Sequence, residues 1–373
     1  MHNSFSLGKL FGIEIRADFS WLIGLVLLVW LLNAHYFPMT YPGWTSGAVL
    51  SAAVATAILF FLSVLAHELG HSLVSARLGM PVPRITLFIF GGLAQLSGEP
   101  KRPRDEFLIS AAGPFVSLLL GLGFSALSWA GPDRVGIPLA AFGKWLGLVN
   151  LGLGLFNLLP GLPLDGGRIL RALVWSRTNS FRKATIVAGW AGRVLAFGLI
   201  LWGIFQVFQG NWADGLWMAF IGWFIEQAAA QSMARVALED MLAGHTAREA
   251  MMTDCPRVSP AMTLQKLVDE VVLHSGRRCF PVVGGERITG LITLNEVTAI
   301  PRDQWVGTSV GTAMIPFKDL KSVSPNTGLF EVFQQMAEAN LNQLPVVENG
   351  QFVGMVGRDG VIAFLQAHAN LGV

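Results

Sequence analysis

One stretch of the sequence combines a long apolar run with three strongly polar residues, and this combination restricts the fold more than any other feature. From Val49 to Leu62 every residue is apolar or small, and His67, Glu68 and His71 follow within the same predicted helix. Ionisable side chains inside a membrane-spanning helix are costly and usually functional. The stretch therefore predicts a membrane helix with a functional site near one end.

The spacing of these three residues is that of a zinc-binding helix. The letters H-E-L-G-H match H-E-x-x-H, in which two histidines four positions apart lie on one helix face and can bind one metal ion. The glutamate beside the first histidine can then act on the water molecule used for hydrolysis. His67 and His71 are therefore predicted zinc ligands, and Glu68 is a predicted catalytic residue. A chance match is the alternative, and a third ligand decides against it.

The composition is that of a membrane protein with a soluble part. Of the 373 residues 53% are hydrophobic and 13% are charged, whereas about a quarter of the residues of soluble domains are charged. The net charge of +2 gives no indication of a nucleic-acid partner. Both cysteines, Cys255 and Cys279, lie in the more polar C-terminal third, which favours a reducing compartment over a disulfide framework.

Six apolar segments have roughly the 20-residue length that a bilayer requires. They are residues 19–32, 48–74, 107–129, 138–159, 186–208 and 212–230. Lysine and arginine are concentrated before the first segment and after the second, fourth and sixth. Because loops rich in these residues stay in the cytosol, both termini are predicted to be cytosolic in a multi-pass protein of the cell (inner or plasma) membrane. The two histidines then lie toward the cytosolic end of their helix.

Two stretches outside these segments show the alternation of β-strands. Residues 7–15 predict a small hairpin at the membrane surface, and Val82–Leu96, with its Gly91-Gly92 pair, predicts a second hairpin. An open strand edge cannot face lipid, so the second hairpin must be covered by protein or lie at a wet cavity. There it could pair with an extended substrate by strand addition. A loop that merely connects two helices is the alternative.

A third candidate ligand follows the fourth segment. Two prolines and a Gly-Gly pair interrupt the helix between Asn150 and Arg168, and an unwound backbone at this depth is tolerated only where it lines protein or water. Asp165 is held in this break. A carboxylate beside two imidazoles gives three protein ligands and an open fourth position, the arrangement of catalytic zinc. The alternatives are that Asp165 caps the following helix or pairs with Arg168.

Three further features of the segments are interpreted as structural. The small residues from Ser110 to Ser117 predict close packing of the third segment against the helix that carries the histidines. Glu226 is expected at the cytosolic interface. Arg193 is expected to extend its long side chain toward the same surface.

The two motifs together resemble one protein family. The pairing of H-E-L-G-H with F-N-L-L-P-G-L-P-L-D-G-G-R closely resembles the site-2 protease family of intramembrane zinc metalloproteases, peptidase family M50, over Phe5 to about Arg182. The likeness is to the prokaryotic branch with six spans and a C-terminal pair of CBS domains. One departure is Ser117, where many relatives have asparagine in a Gly-x-x-x-Asn pattern, and it concerns only polar packing.

The resemblance implies a role for each motif residue. His67, His71 and Asp165 would bind one zinc ion per chain, and Glu68 would be the general base and acid. Asn157, eight residues before the aspartate as in the family, would help bind the substrate or the oxyanion. The implied activity is that of a zinc metalloendopeptidase that cuts a single-span, membrane-anchored regulatory protein within its span, in regulated intramembrane proteolysis.

The C-terminal part contains an internal repeat. Val258-Ser259-Pro260 recurs 65 residues later around Pro325, and Phe280-Pro281-Val282-Val283 recurs 64 residues later around Pro345. A period of this length indicates duplication of a domain. The two units resemble CBS motifs, which pair into a module that commonly binds adenine nucleotides.

The nucleotide-binding pattern of CBS motifs is only partly present. Against Gly-x-x-Thr-x-x-Asp, the first copy has Gly290, Thr293 and Glu296, whereas the second copy has Gly354 but lacks the threonine. Thr293 and Glu296 are therefore candidate nucleotide-binding residues. A regulatory or dimerising module without a ligand is the alternative, and a homodimer through the CBS pair is one form of it.

The predicted fold is an α-helical polytopic membrane protein of six transmembrane helices, with a small β-hairpin or sheet at the cytosolic side, joined to an α+β tandem CBS module. The predicted domains are a transmembrane zinc protease domain at residues 1–241 and CBS repeats at 242–305 and 306–373. Expected partners are a single-span membrane protein substrate and membrane lipid. A CBS-regulated transporter or channel with an intramembrane His/Asp ion site is the competing hypothesis, although a transporter would not need Glu68.

Overall fold

The chain forms two compact units, Met1–Val236 and Ala237–Val373. The computed structural model describes residues 4–89, 91–95, 100–130, 137–275, 277, 279–285, 287–339 and 341–371. Each unit has hydrophobic clusters of its own. The predicted domain boundaries after residues 241 and 305 stay predictions.

The first unit is mainly helical. Its helices are α1 (Phe19–Thr40, with a π-helical turn at Leu32–Tyr36), α2 (Ser46–Arg77), α3 (Pro103–Trp129), α4 (Ile137–Asn157), α5 (Asp165–Thr178), α6 (Phe181–Phe208) and most of α7 (Trp212–Leu242), which continues beyond Val236. Asp18 caps α1 by accepting a hydrogen bond from the Ser20 backbone N–H at 2.9 Å, which satisfies one of the unpaired donors at a helix start.

Five helices among the described residues are long and apolar enough to cross a membrane. They are α1, α2, α3, residues Leu139–Asn157 of α4, and α6. The sixth predicted segment lies within α7, where Glu226, Gln227 and Gln231 interrupt the apolar residues and lower the mean hydropathy. The predicted number of six spans is therefore not exact.

A four-stranded sheet packs on α2. Its strands are β1 (Ser4–Leu10), β2 (Ile13–Asp18), β3 (Arg84–Phe88) and β4 (Gly91–Gln95), in the order β1-β2-β3-β4. Both predicted hairpins are confirmed, except that Phe90 and Leu96 lie outside the described residues. A parallel pairing of β2 with β3, with Ile15 opposite Ile85, joins the hairpins into one sheet. The buried face of this sheet contacts Leu69 of α2, two residues from His67 and from His71.

The close packing predicted for α3 is confirmed. A Cβ atom at Gly70 of α2 would lie 3.0 Å from the Ala112 carbonyl oxygen of α3, and one at Gly143 of α4 would lie 2.5 Å from the Phe124 carbonyl oxygen. Small residues at these positions allow the helix backbones to approach each other. As a result α3 packs against α2, α4 and α5, the three helices that carry the candidate site residues.

The second unit is an α+β module of two similar halves. Its strands are β5 (Cys279–Gly284), β6 (Arg287–Thr293), β7 (Ile315–Pro316), β8 (Gln343–Glu348) and β9 (Gln351–Gly357). Its helices are α8 (Ala247–Ala250), α9 (Leu264–Leu267) and α10 (Leu273–Ser275), which a π-helical turn at Val268–Val272 joins, α11 (Leu294–Thr298), α12 (Val310–Ala313), α13 (Leu329–Glu338) and α14 (Arg358–Leu371). Phe280 pairs with Ile292 in one half as Leu344 pairs with Val356 in the other, so the sequence repeat is also a structural repeat.

Candidate metal centre

Three side chains from two distant parts of the sequence meet inside the first unit. His67 and His71 project from α2, and Asp165 is the first residue of α5. The Nε2 atoms of the histidines are 3.2 Å apart, and Asp165 Oδ2 lies 3.3 Å from His67 Nε2 and 3.2 Å from His71 Nε2. All three side chains are mostly buried. The structure thus brings together the three residues that the motifs single out.

The distances between these atoms fit a tetrahedral zinc ion. Zinc bonds to nitrogen and oxygen of roughly 2.0–2.1 Å place the donor atoms of a tetrahedral site about 3.3 Å apart. The triangle formed by the three side chains has sides of 3.2, 3.2 and 3.3 Å. Two imidazoles and one carboxylate are also a donor set of catalytic zinc, which leaves the fourth position open. The residues present therefore fit the metal, and their role as ligands stays a prediction.

Contacts from α3 orient both imidazole rings. His71 Nδ1 lies 2.6 Å from the Ile109 carbonyl oxygen, and because a carbonyl only accepts, Nδ1 is the protonated nitrogen. In neutral His71 the lone pair of Nε2 then faces His67 and Asp165. His67 Nδ1 lies 2.9 Å from Ser117 Oγ. Partners of this kind set the tautomer and ring orientation of metal-binding histidines.

The contacts of Asp165 separate its three interpretations. The N-cap position of α5 is Leu164, which makes no side-chain capping bond. Arg168 lies 3.9 Å from Glu106, whereas the Asp165 carboxylate contacts the two histidines. The geometry favours the ligand interpretation over a helix cap or an ion pair with Arg168.

A cavity of about 620 Å³ contains the centre together with the two predicted catalytic residues, Glu68 and Asn157. Glu68 lies against β4, where a Cβ atom at Gly92 would be 2.3 Å from Glu68 Cγ. Asn157 is the last residue of α4. Most of the remaining wall is apolar, including the aromatic rings of Phe60, Phe61, Phe156, Trp217, Phe220 and Phe224. Few polar groups in an apolar cavity are typical of a binding site.

Three residues of α3 support the centre, although the sequence motifs indicate only polar packing for Ser117 and no site role for Gly113 or Glu106. Ser117 contacts His67, and a Cβ atom at Gly113 would lie 2.1 Å from His71 Nε2, so only glycine leaves that space. Glu106 is fully buried and accepts hydrogen bonds from Arg171 of α5. These residues follow one another at intervals of seven and four positions, which places them on one helix face. That spacing is the signal by which they could have been found.

The candidate nucleotide-binding pair of the second unit bonds to itself. Thr293 is the N-cap of α11, and its backbone N–H donates to Glu296 Oε2 at 3.0 Å while its hydroxyl contacts the same oxygen. This is a capping box. Thr293 and Glu296 thus have a structural task at a helix start, and nucleotide binding by them stays a prediction.

Both cysteines of the second unit are free thiols, and burial raises the pKa of Cys279 to about 12.

Comparisons with known proteins identify both units. The model of peptidase family M50 matches residues 55–133 and 133–201, and that of the CBS domain matches residues 247–302 and 310–367. The chain is 34% identical to "Putative zinc metalloprotease sll0528" of Synechocystis sp., covering 99% of this chain and 97% of that protein. It is 35% identical to "Putative zinc metalloprotease Rip3" of Mycobacterium tuberculosis, covering 99% and 94%.

A solved structure is similar to part of the chain. The site-2 protease from Methanocaldococcus jannaschii is 31% identical, covers 62% of this chain and 95% of its own, and superposes with a TM-score of 0.42. The family assignment depends on the full-length relatives, whose identity exceeds 30% over nearly all of both chains. Their names agree with the zinc protease hypothesis and not with a transporter or channel. The chain therefore belongs to peptidase family M50, as a multi-pass membrane zinc metalloprotease with a pair of CBS domains.

Proposed function

We propose that this protease hydrolyses a peptide bond within the transmembrane segment of a single-span, membrane-anchored regulatory protein, in regulated intramembrane proteolysis. The observation that carries the proposal is the triangle of His67, His71 and Asp165, which lies in a cavity lined by residues of membrane-length helices. A site at this depth reaches bonds that a soluble protease does not. The distribution of lysine and arginine supports a cell membrane location with both termini and the CBS module in the cytosol.

Each residue of the cavity has a proposed task in hydrolysis. His67, His71 and Asp165 would hold one zinc ion per chain, which would supply a Lewis acid and activate water. Glu68 accepts the proton of the attacking water and passes it to the leaving amine. The Asn157 amide donates a hydrogen bond to the carbonyl oxygen of the scissile bond, on which negative charge develops.

The edge of the sheet supports binding of an extended substrate. β4 is the last strand in the order of the sheet, and its residues Gly91 and Gly92 line the cavity beside Glu68. An extended peptide can add to such an edge through backbone hydrogen bonds. A peptide bond in a helix is instead held in the hydrogen-bond ladder of the helix. The substrate is therefore expected to unwind locally and pair with β4.

The Glu68→Gln variant tests the proposal. It should retain zinc and cleave a co-expressed single-span substrate about 10²–10⁴-fold more slowly, the usual contribution of a general base. Proteomics of membranes that contain the active protein, compared with this variant, should show single-span proteins that accumulate only in the variant. Undiminished cleavage with full zinc content would contradict the role assigned to Glu68.

For the second unit we propose that an adenine nucleotide bound near Thr293 modulates proteolysis. The resemblance of the repeat to CBS motifs supports this, whereas the capping box supports an unliganded regulatory or dimerising module. Calorimetric titration of the purified full-length protein with ATP, ADP and AMP distinguishes the two. Absence of heat and of any thermal shift would favour the unliganded module.

A further inference from the structure

A buried charge cluster joins α3 to the helix that begins with Asp165. Glu106 of α3 is fully buried, and Arg171 of α5 donates to its Oε1 from both Nε, at 2.7 Å, and Nη2. Arg168 Nε lies 3.9 Å from the same oxygen. The Arg171 guanidinium also lies over the ring of Phe181, 4.7 Å from its centroid. We call the cluster of Glu106, Arg168 and Arg171 the Glu106 clasp.

The position of the clasp on α5 determines where the Asp165 side chain points. The residues between Asn157 and Asp165 are not helical, so α4 does not set the direction of α5 through a continuous helix. Asp165, Arg168 and Arg171 follow one another at intervals of three, and residues three apart are neighbours on a helix surface. A fixed Arg171 therefore limits rotation of α5 about its axis, and with it the direction of the Asp165 carboxylate.

The same helix that carries Glu106 also contacts the other two candidate ligands. The Ile109 carbonyl oxygen accepts from His71, and Ser117 contacts His67. We propose that the Glu106 clasp positions Asp165 for zinc binding, so that α3 sets all three ligands in one rigid frame. Glu106 and Arg171 are positioning residues in this scheme. The inference rests on the proposed zinc-binding role of His67, His71 and Asp165.

The chemistry of the clasp favours a geometric role over simple stabilisation. The cost of removing two charges from water often exceeds their attraction, and apolar residues of similar volume frequently serve a fold as well as a buried ion pair does. In addition, Glu106 Oε2 makes no hydrogen bond within the described residues. An ion pair that leaves one of its oxygens unpaired is poorly explained by stability. A contact that fixes the direction of α5 has a use that does not depend on its contribution to stability.

The zinc affinity of the purified full-length protein tests the inference, with a coloured chelator as competitor. In the double variant Glu106→Met, Arg171→Met no charge of the main pair stays buried without a partner, so the zinc-free protein should unfold at the temperature of the wild type or above it. Its zinc affinity should nevertheless be about 10–100-fold weaker, as for the loss of outer partners of other metal sites. Wild-type zinc affinity in this folded variant would overturn the proposal.

A second variant covers the case in which the double variant does not fold. Arg171→Lys keeps the charge but loses the two-nitrogen contact, which lysine cannot reproduce. It should bind zinc several-fold more weakly while the zinc-free protein retains its unfolding temperature. Unchanged affinity in Arg171→Lys would also overturn the proposal.

The chain offers a matched control in another ion pair between helices. Arg193 Nη2 of α6 lies 3.3 Å from Glu226 Oε1 of α7, and neither helix carries a candidate ligand. The variant Arg193→Met, Glu226→Met should keep wild-type zinc affinity, and an equal loss there would overturn a specific role of the clasp. Zinc retention by Asp165→Asn would refute the proposed ligand set itself. Zinc loss in that variant but not in the clasp variants would refute the clasp alone.

Discussion

The candidate metal centre and the candidate nucleotide site differ in where their polar atoms find partners. In the metal centre two imidazole nitrogens and a carboxylate oxygen face one another at 3.2–3.3 Å, the separation expected of atoms that bind one cation. In the second unit the Thr293 N–H donates to Glu296, and the capping box is complete without a ligand. Motif residues therefore indicate a ligand most strongly when the protein itself does not satisfy their polar atoms.

The largest expected effect concerns the metal centre and tests whether its polar atoms bind zinc. Asp165→Asn removes a charged donor from the triangle, so zinc affinity should fall by more than the roughly 10–100-fold seen when outer partners are lost. Elemental analysis of the purified variant should find little zinc, and substrate cleavage should be lost with it. Full zinc content would show that Asp165 is structural. The metal centre would then no longer differ from the candidate nucleotide site in needing a ligand.

The next largest effect is expected from filling the space between the candidate ligands of the metal centre. Gly113→Ala adds a methyl group about where His71 Nε2 lies, since the new Cβ would be 2.1 Å from that atom. The rings must then move apart, and we expect at least a tenfold weaker affinity for zinc, on the order of the loss of an outer partner. Gly123→Ala on the same helix is the control, because a Cβ there meets no atom within 4 Å. Equal zinc affinities in the two variants would refute the steric argument.

A smaller effect is expected from the partner of His67. Ser117→Ala removes the hydroxyl 2.9 Å from His67 Nδ1, and zinc affinity should fall about tenfold, at the lower end for outer partners of metal sites. Ser110→Ala is the matched control, since Ser110 is also a buried serine of α3 and its hydroxyl makes no hydrogen bond within the described residues. Zinc competition should separate the two variants. If both bind zinc as the wild type does, Ser117 does not orient the ring.

The smallest effect is expected at the candidate nucleotide site and tests whether Thr293 caps a helix or binds a ligand. Thr293→Ala removes a helix cap and should lower the free energy of unfolding of the second unit by about 1 kcal/mol, without a change in zinc affinity. Thr298→Ala, which removes an exposed hydroxyl near the other end of α11, should change stability less. Chemical denaturation followed by far-ultraviolet circular dichroism measures both. Unchanged stability together with lost adenine-nucleotide binding would show that Thr293 serves a ligand, contrary to its role as a cap.

The residues of the centre were predictable because their signals are local. H-E-L-G-H depends only on helix periodicity, and the prolines before Asp165 mark a break in a helix whatever the fold. The partner of Glu106 was not predictable in this way. In the sequence Glu106 is one charge among several from Lys101 onward, and its contact with Arg171 depends on how α3 packs on α5.

Longer-range pairings were missed for the same reason. Arg193 was expected to extend toward the membrane surface and Glu226 to lie at the interface, but the two form an ion pair between α6 and α7. Each side chain alone is consistent with an interfacial position. That the two side chains pair with each other depends on how α6 packs against α7, which hydropathy along the chain does not predict.

The parallel pairing of β2 with β3 sets an order of events during synthesis. Ile15 lies opposite Ile85, and two membrane-length helices, α1 and α2, separate these residues along the chain. The ribosome releases β2 first, so this strand waits until both helices have been inserted and β3 has emerged. The edge beside Glu68 and the carboxylate of Asp165 arrive later still. The proposed zinc site is therefore incomplete until α1 to α4 and the start of α5 have been synthesised.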